Sequence, residues 1–139
     1  MKQHLGLTSL LVNDYDEAID FFVNTLEFTL IEDSPAQQSL NPSVKKRWVV
    51  VAPKGSRESA LLLAEPSDEN QAKLIGKQSE GRVFMFLNTD DFWRDYNNYK
   101  ERGVVFVRGE PRKEPYGTVA VFLDVSGNMW DLIQPGGTS

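Results

Sequence analysis

Residues 9–22, SLLVNDYDEAIDFF, and residues 86–99, FLNTDDFWRDYNNY, carry one pattern twice. Each opens on an apolar run suited to a buried strand, turns at an Asp, and continues with apolar residues at helical spacing. Aligning Asp14 with Asp91 also aligns Leu7 with Phe84. Each copy heads about half of the chain and is followed by further strand-like runs. A doubled unit of this kind is two copies of one supersecondary element, neither able to bury its apolar face alone. The expected site therefore lies where the two copies pair.

Working outward, residues 5–12 read as a strand and Asn13-Asp14 as the cap of a helix carrying Ala18, Ile19, Phe22, Val23 and Leu26 on one face. Asp16 and Glu17 place negative charge in its first turn, where the helix dipole favours it. Residues 28–31 are expected to form a short strand and 33–44, rich in Pro, Ser, Asn and Gln, a loop. Residues 47–52 and 60–64 complete the first copy. A polar stretch over 65–80 links the copies, with one helical turn at 70–74. The second copy gives a strand at 82–88, a helix at 91–102 stopped by Gly103, a short strand at 104–107 and a loop over 110–117. Strands at 118–124 and 129–134 follow, joined by the turn Val125-Ser126-Gly127-Asn128. The fold class is α+β: two βαβββ modules, about 1–66 and 80–139, with paired sheets enclosing a cleft and helices outside.

The 139 residues suit one compact domain or two small intimate modules. With no cysteine there is no disulfide framework and no thiolate chemistry. A net charge of -5 argues against a nucleic-acid partner. No apolar run is long enough to span a membrane, and residues 1–16 lack a signal-peptide layout, so a cytoplasmic location is expected. No Ser-His or Cys-His pairing has support, and no phosphate-binding glycine loop is present. The run Asp14, Asp16, Glu17, Asp20 reads as capping and a solvated face.

The order of motifs resembles the vicinal oxygen chelate superfamily, which includes glyoxalases, extradiol dioxygenases, fosfomycin-resistance enzymes and bleomycin-binding resistance proteins. The resemblance rests on Val12-Asn13-Asp14, residues 18–22, Leu26-Glu27-Phe28, Asp90-Asp91, Gly103-Val104, Tyr116-Gly117 and the closing DVSGNMWDL over 124–132. It covers essentially the whole chain. Glu27 departs from it, since the family usually has Gly there.

The resemblance implies a divalent metal on up to four ligands, one from the first and one from the last strand of each module. Carried over residue by residue, those positions are Leu7, Phe84, about Leu62 and Asp131. Only Asp131 keeps a ligand-type side chain, and one carboxylate does not hold a metal that needs three or four donors. No cofactor is therefore expected. His4, the single histidine, reads as an exposed residue near the chain start, with a displaced metal ligand as the alternative.

Asp131 is the best catalytic candidate, as a base or as the partner of a ligand cation; equally it reads as a carboxylate paired with Arg82 or solvated. Alternation puts Arg82, Phe84, Phe86 and Asn88 on one strand face, and Met129, Asp131 and Ile133 on another. Leu7 brings Leu5, Ser9 and Leu11. The ligand-binding set expected from these faces is Leu7, Ser9, Arg82, Phe84, Phe86, Met129 and Asp131. It is the composition of a small-molecule pocket and also of a packed core. Trp48 offers an aromatic platform or a core residue, Tyr116 a loop hydroxyl at the pocket mouth. Gln78 and Glu80 read as linker surface near the entrance.

Two functions of different class follow. The first is a metal-free binding protein of the bleomycin-resistance type, holding a small apolar or aromatic molecule in the inter-module cleft, as a homodimer. The alternative is a lyase, isomerase or dioxygenase of the same superfamily, with unorthodox metal ligands or with Asp131 as base. A relative with a filled cleft is the third possibility.

Overall fold

The computed structural model describes residues 1–36, 46–56 and 58–136. The chain divides into two compact units, Met1–Gly76 and Lys77–Ser139. Each contains one four-stranded sheet.

In the first unit, β1 (Leu7–Leu11) leads through Asp14 into α1 (Tyr15–Ile19). The Asp14 carboxylate accepts from the Glu17 backbone N–H at 2.8 Å, the capping bond the sequence predicts. The helix does not stop at Ile19. It widens into a π-helical turn over Asp20–Thr25, closed by the Leu26 N–H donating to the Phe21 carbonyl. The chain then reverses at Glu27, whose φ of 63° lies in the left-handed region. Glycine adopts that conformation without strain, and Glu27 does not. β2 (Thr29–Pro35), β3 (Arg47–Ala52) and β4 (Ala60–Ala64) complete a sheet of order β1-β4-β3-β2, with β1 and β4 parallel and the other pairs antiparallel. β2 runs well beyond residue 31, so the expected loop begins later, and residues 37–44 of it lie outside the described residues. Pro35 is tolerated because β2 is an edge strand. Leu10, Val12, Ala18, Phe22, Val49, Val51 and Leu63 are fully buried and form the core on the helix side. Arg47 ties this side together. It donates to Asp33 at 2.7 Å and Asp16 at 3.0 Å, and lies over the Tyr15 ring. A single turn, α2 (Glu69–Ala72), follows, capped by Asp68.

The second unit repeats the order: β5 (Val83–Asn88), α3 (Phe92–Glu101) capped by Asp91, β6 (Phe106–Glu114), β7 (Gly117–Leu123) and β8 (Met129–Pro135). Its sheet order, β5-β8-β7-β6, is the first order transposed, again with the first and last strands parallel. The helix side is aromatic: Tyr96 meets Phe106 at 4.5 Å between centroids, Tyr99 meets Phe122 at 5.7 Å, and Phe122 meets Trp130 at 5.7 Å. The expected loop over 110–117 is instead mostly strand. β6 continues to Glu114 after a bulge that displaces its register between Val107 and Arg112.

The turn between β7 and β8 is held by one buried carboxylate. Asp124 accepts from the backbone N–H groups of Ser126 and Asn128, each at 2.9 Å. It also accepts from Asn128 Nδ2 at 3.2 Å and Trp130 Nε1 at 2.9 Å. Burial pushes its pKa up, while the Trp130 and Asn128 donors pull it down.

Two substitutions test these assignments by urea unfolding. Asp124→Asn turns an amide donor toward donors and is expected to cost about 2–3 kcal/mol. Glu27→Gly is expected to be at least as stable as the parent, and Glu27→Val to lose about 1–2 kcal/mol, because a β-branched residue resists the left-handed region. The reverse order for the Glu27 pair would remove backbone strain as the reason.

Candidate functional site

Each sheet has its helices on one side. In the second unit, Phe106, Phe122 and Trp130 face α3 through the ring contacts above. Strand alternation then turns their neighbours Val107, Val121 and Asp131 to the other side. Register lines these up with Phe86 in one row across the sheet: Phe86 on β5, Asp131 on β8, Val121 on β7 and Val107 on β6. Asn88, Ile133, Val119 and Arg112 form the next row. Phe86 is 66% exposed, an unusual state for a phenylalanine in the middle of a strand.

The two edges of this face are drawn together by Arg108. It sits in the β6 bulge at φ 59°, followed by Gly109 at φ 89°. A bulge of this kind bends its strand and re-aims a side chain. Here the guanidinium Nη2 donates to the Gly81 carbonyl at 3.2 Å, just ahead of β5. β5 and β6 are opposite edges of the sheet. Three interstrand spacings in a flat sheet amount to about 14 Å, farther than one arginine extends. The face, with the segment leading into β5, is therefore concave, and Arg108 arches over it.

Asp131 lies on the floor of this concavity, partly buried. Its Oδ1 is buried and meets no hydrogen-bond donor among the described residues. Burial raises its pKa, while the charges of Arg112 and then Arg108 act in the opposite sense. A buried oxygen without a donor costs stability unless something else supplies one. A separate hollow opens on the α3 side, lined by Trp93, Lys113, Thr118 and Gln134. Its most enclosed polar group is already engaged, Gln134 Oε1 accepting from the Phe92 N–H at 2.8 Å.

The corresponding face of the first unit is apolar at its centre, with Ser9 on β1 and Glu32, bonded to Ser34, on the β2 edge. Ser9 pairs with Leu62, and Leu62 with Val50. Leu7 pairs with Ala60, and Trp48 with Ser34. Leu62 packs on Val50, Ala52 and Ala60, while Leu7 and Trp48 stay 46% and 40% exposed. The offset that superposes Leu7 on Phe84 carries Ser9 onto Phe86, so the pair Ser9–Leu62 answers to Phe86–Asp131.

A sequence profile of the Glyoxalase/Bleomycin resistance protein/Dioxygenase superfamily matches residues 4–132. The chain belongs to this superfamily. It is 57% identical over 135 residues to an uncharacterized protein of Shewanella frigidimarina, covering 96% of this chain and 95% of that one. Among solved structures it is similar to UcmS2, with a TM-score of 0.78 and 30% identity over 96% of this chain and 98% of that one. It is also similar to TnmS3, an antibiotic binding protein from Streptomyces sp. CB03234, with a TM-score of 0.74 and 31% identity over 97% and 98% of the two chains.

The superfamily's metal does not fit the donors present at the carried-over positions. Leu7, Leu62 and Phe84 offer no lone pair, and Asp131 is the one carboxylate at these four positions. Among the described residues no three His, Cys, Asp or Glu side chains gather as a ligand set. Nor is any described helix long and apolar enough to cross a membrane.

The structure places the residues singled out in the sequence unevenly. Phe86, Met129 and Asp131 share the concave face of the second sheet, as alternation predicted. Arg82 does not join them. It is exposed and precedes β5, with its carbonyl accepting from Ser79 Oγ at 2.5 Å. Phe84 falls at a bulge between Val83 and Met85, where the ladder skips a residue and strict alternation breaks. Leu7, Ser9 and Trp48 lie on the uncovered face of the first unit's sheet, and Tyr116 is exposed in the β6–β7 turn. His4 is exposed. The sequence reading missed Arg108 and Arg112. The signal was present in Arg108-Gly109 interrupting a β-rich run, which marks a bulge as readily as a loop.

The position of Asp131 predicts its titration. Burial favours the neutral acid, so the folded state binds more protons than the unfolded state above the ordinary carboxylate pKa of 3.8. Stability contributed by this group therefore falls as pH rises through the window from 3.8 to the raised folded value. Asp131→Asn is expected to be more stable than the parent at neutral pH, with the gap closing in acid. NMR titration should find the Asp131 carboxyl above its ordinary value, and Arg112→Gln should raise it further.

Proposed function

We propose that this superfamily member is a metal-free binding protein that holds a small apolar or aromatic molecule on the concave face of the second sheet. The observation that carries the reading is the pairing on that face of a widely exposed Phe86 with a buried, donor-free Asp131 oxygen. An exposed aromatic beside one oriented polar group is what a ligand surface requires, and a packed core would leave neither. The likeness to TnmS3, an antibiotic binding protein, supports a sequestering role. The apolar side chains at three carried-over ligand positions favour binding without a metal. We further propose a cytoplasmic homodimer. The absence of cysteine supports the location, and Leu7 and Trp48, left exposed on the first sheet, supply apolar surface for a second copy.

The alternative is catalysis within the superfamily's lyase, isomerase or dioxygenase classes. It has Asp131 as its base, since a partly buried carboxylate with a raised pKa is suited to proton transfer.

A screen of planar aromatic compounds by two-dimensional NMR tests the binding reading. Shifts are expected on β5, β7 and β8. Phe86→Ala should weaken a hit about tenfold, the effect of removing roughly 60 Å² of apolar contact at 25 cal/mol per Å². Metal analysis of protein purified without chelator should find no stoichiometric divalent ion. An ion contacting Asp131, or turnover lost in Asp131→Asn, would move the weight to the enzyme.

A further inference from the structure

The polar half of the ligand can be read from Asp131, Arg108 and Arg112 on the concave face; this inference rests on the binding reading above. Asp131 keeps one buried oxygen without a donor. Arg108 uses one N–H on the Gly81 carbonyl, out of the five a guanidinium carries. Arg112 has a long contact of 3.6 Å to Glu114 and otherwise faces the row beside Asp131. Among the described residues no cation stands within ion-pair distance of Asp131, although both guanidinium charges act on it. The positive and negative groups are thus kept apart over an apolar floor. Val121 lies between β8 and β6 in the Asp131 row, and the exposed Phe86 ring stands at its β5 end.

Spacing and charge narrow the occupant. Two strand spacings, from β8 across β7 to β6, set an upper limit of about 10 Å, which the concavity and the reach of the arginine side chains shorten. Glu114 partly neutralises Arg112, but among the described residues Arg108 has no carboxylate within ion-pair distance and donates only to a carbonyl, so its positive charge stays available on the face of a chain whose net charge is -5. A cationic ligand would be repelled by the arginines. A neutral donor satisfies Asp131 without that penalty, and an anion satisfies the guanidinium groups, which suit carboxylate geometry.

We propose that this face recognises a planar aromatic anion carrying a neutral hydrogen-bond donor no more than about 10 Å from its charge. The donor, a hydroxyl or amide N–H, meets Asp131 Oδ1. The anion meets Arg112 and Arg108, and the ring lies on Val121 and against Phe86.

The test uses three probes of one shape on the full chain at pH 7.5. These are 6-hydroxy-2-naphthoate, 6-methoxy-2-naphthoate, which lacks the donor, and 2-naphthol, which lacks the anion. Calorimetry should find the first at least tenfold tighter than either of the others, with NMR shifts on β5, β7 and β8. Arg112→Gln and Arg108→Asn should each weaken 6-hydroxy-2-naphthoate fivefold or more and leave 2-naphthol unchanged. Asn is chosen at 108 because it accepts the left-handed backbone. Asp131→Leu should abolish the preference for hydroxyl over methoxy, and Asp131→Asn should reduce it should the Leu variant fail to fold. Arg82→Gln should change nothing. Equal binding of all three probes on β5, β7 and β8 would overturn the charge assignment and leave the binding reading standing. Shifts confined to other strands would overturn both. Failure of all three probes to bind would overturn the proposed ligand class.

Discussion

The Asp124 carboxylate sets the register on which the site depends. Its four acceptor contacts fold residues 124–130 into one turn and bring the Trp130 indole back over the start of that turn. β8 therefore enters the sheet with Trp130 toward α3 and Asp131 away from it. Side chains in a strand alternate with a period of two, so a slip of one residue would exchange the two. The slip would bury the carboxylate among Phe122 and Tyr99 and expose the indole. The penalty for that exchange is what keeps Asp131 on the concave face, although its own position there is unfavourable to the fold.

The doubled architecture and the placement of Asp131 were legible because both follow from regular periods. Asp14 and Asp91 cap their helices, the helix faces repeat at helical spacing, and the Gly127-Asn128 turn fixes the phase of the final strand. What was illegible sits at bulges. A bulge inserts a residue and inverts the inside–outside pattern beyond it, so the period by which strands are read disappears. At Val83–Met85 this removed Arg82 from the face that alternation assigned it. Between Val107 and Arg112 it made a continuing strand resemble a loop and concealed the arginine that arches across the sheet. The π-helical turn at Asp20–Thr25 had no separate signal, because its apolar spacing differs little from that of an ordinary helix.

The two copies have diverged in how they use charge. In the first, Arg47 is consumed on the helix side by Asp33 and Asp16, and the opposite face carries Ser9, Leu62 and Val50, with Glu32 on the β2 edge. In the second, the arginines stand on the uncovered side, with a carboxylate at the position where the first copy has Leu62. One copy has used Arg47 for cohesion, and the other has set two arginines where a solute can reach them. The strain of a left-handed arginine is consistent with that division, since strained backbone concentrates where a side chain must be aimed.

Closing each sheet by pairing its first strand with its last has a consequence for biosynthesis. During translation β1 has no parallel neighbour until β4 is made, and β5 none until β8 is made. Each unit thus passes through an interval in which an apolar strand, a helix and two later strands exist without the piece that joins them. Long-range parallel pairing is slow to form, and an unpaired apolar strand is open to mispairing. Because the units are copies, the nascent β5 can compete with β1 for the parallel edge of β4 in the first unit. The Phe86 ring and the unlike rows of the two sheets, aromatic and charged in one and aliphatic in the other, reduce the fit of that wrong pair.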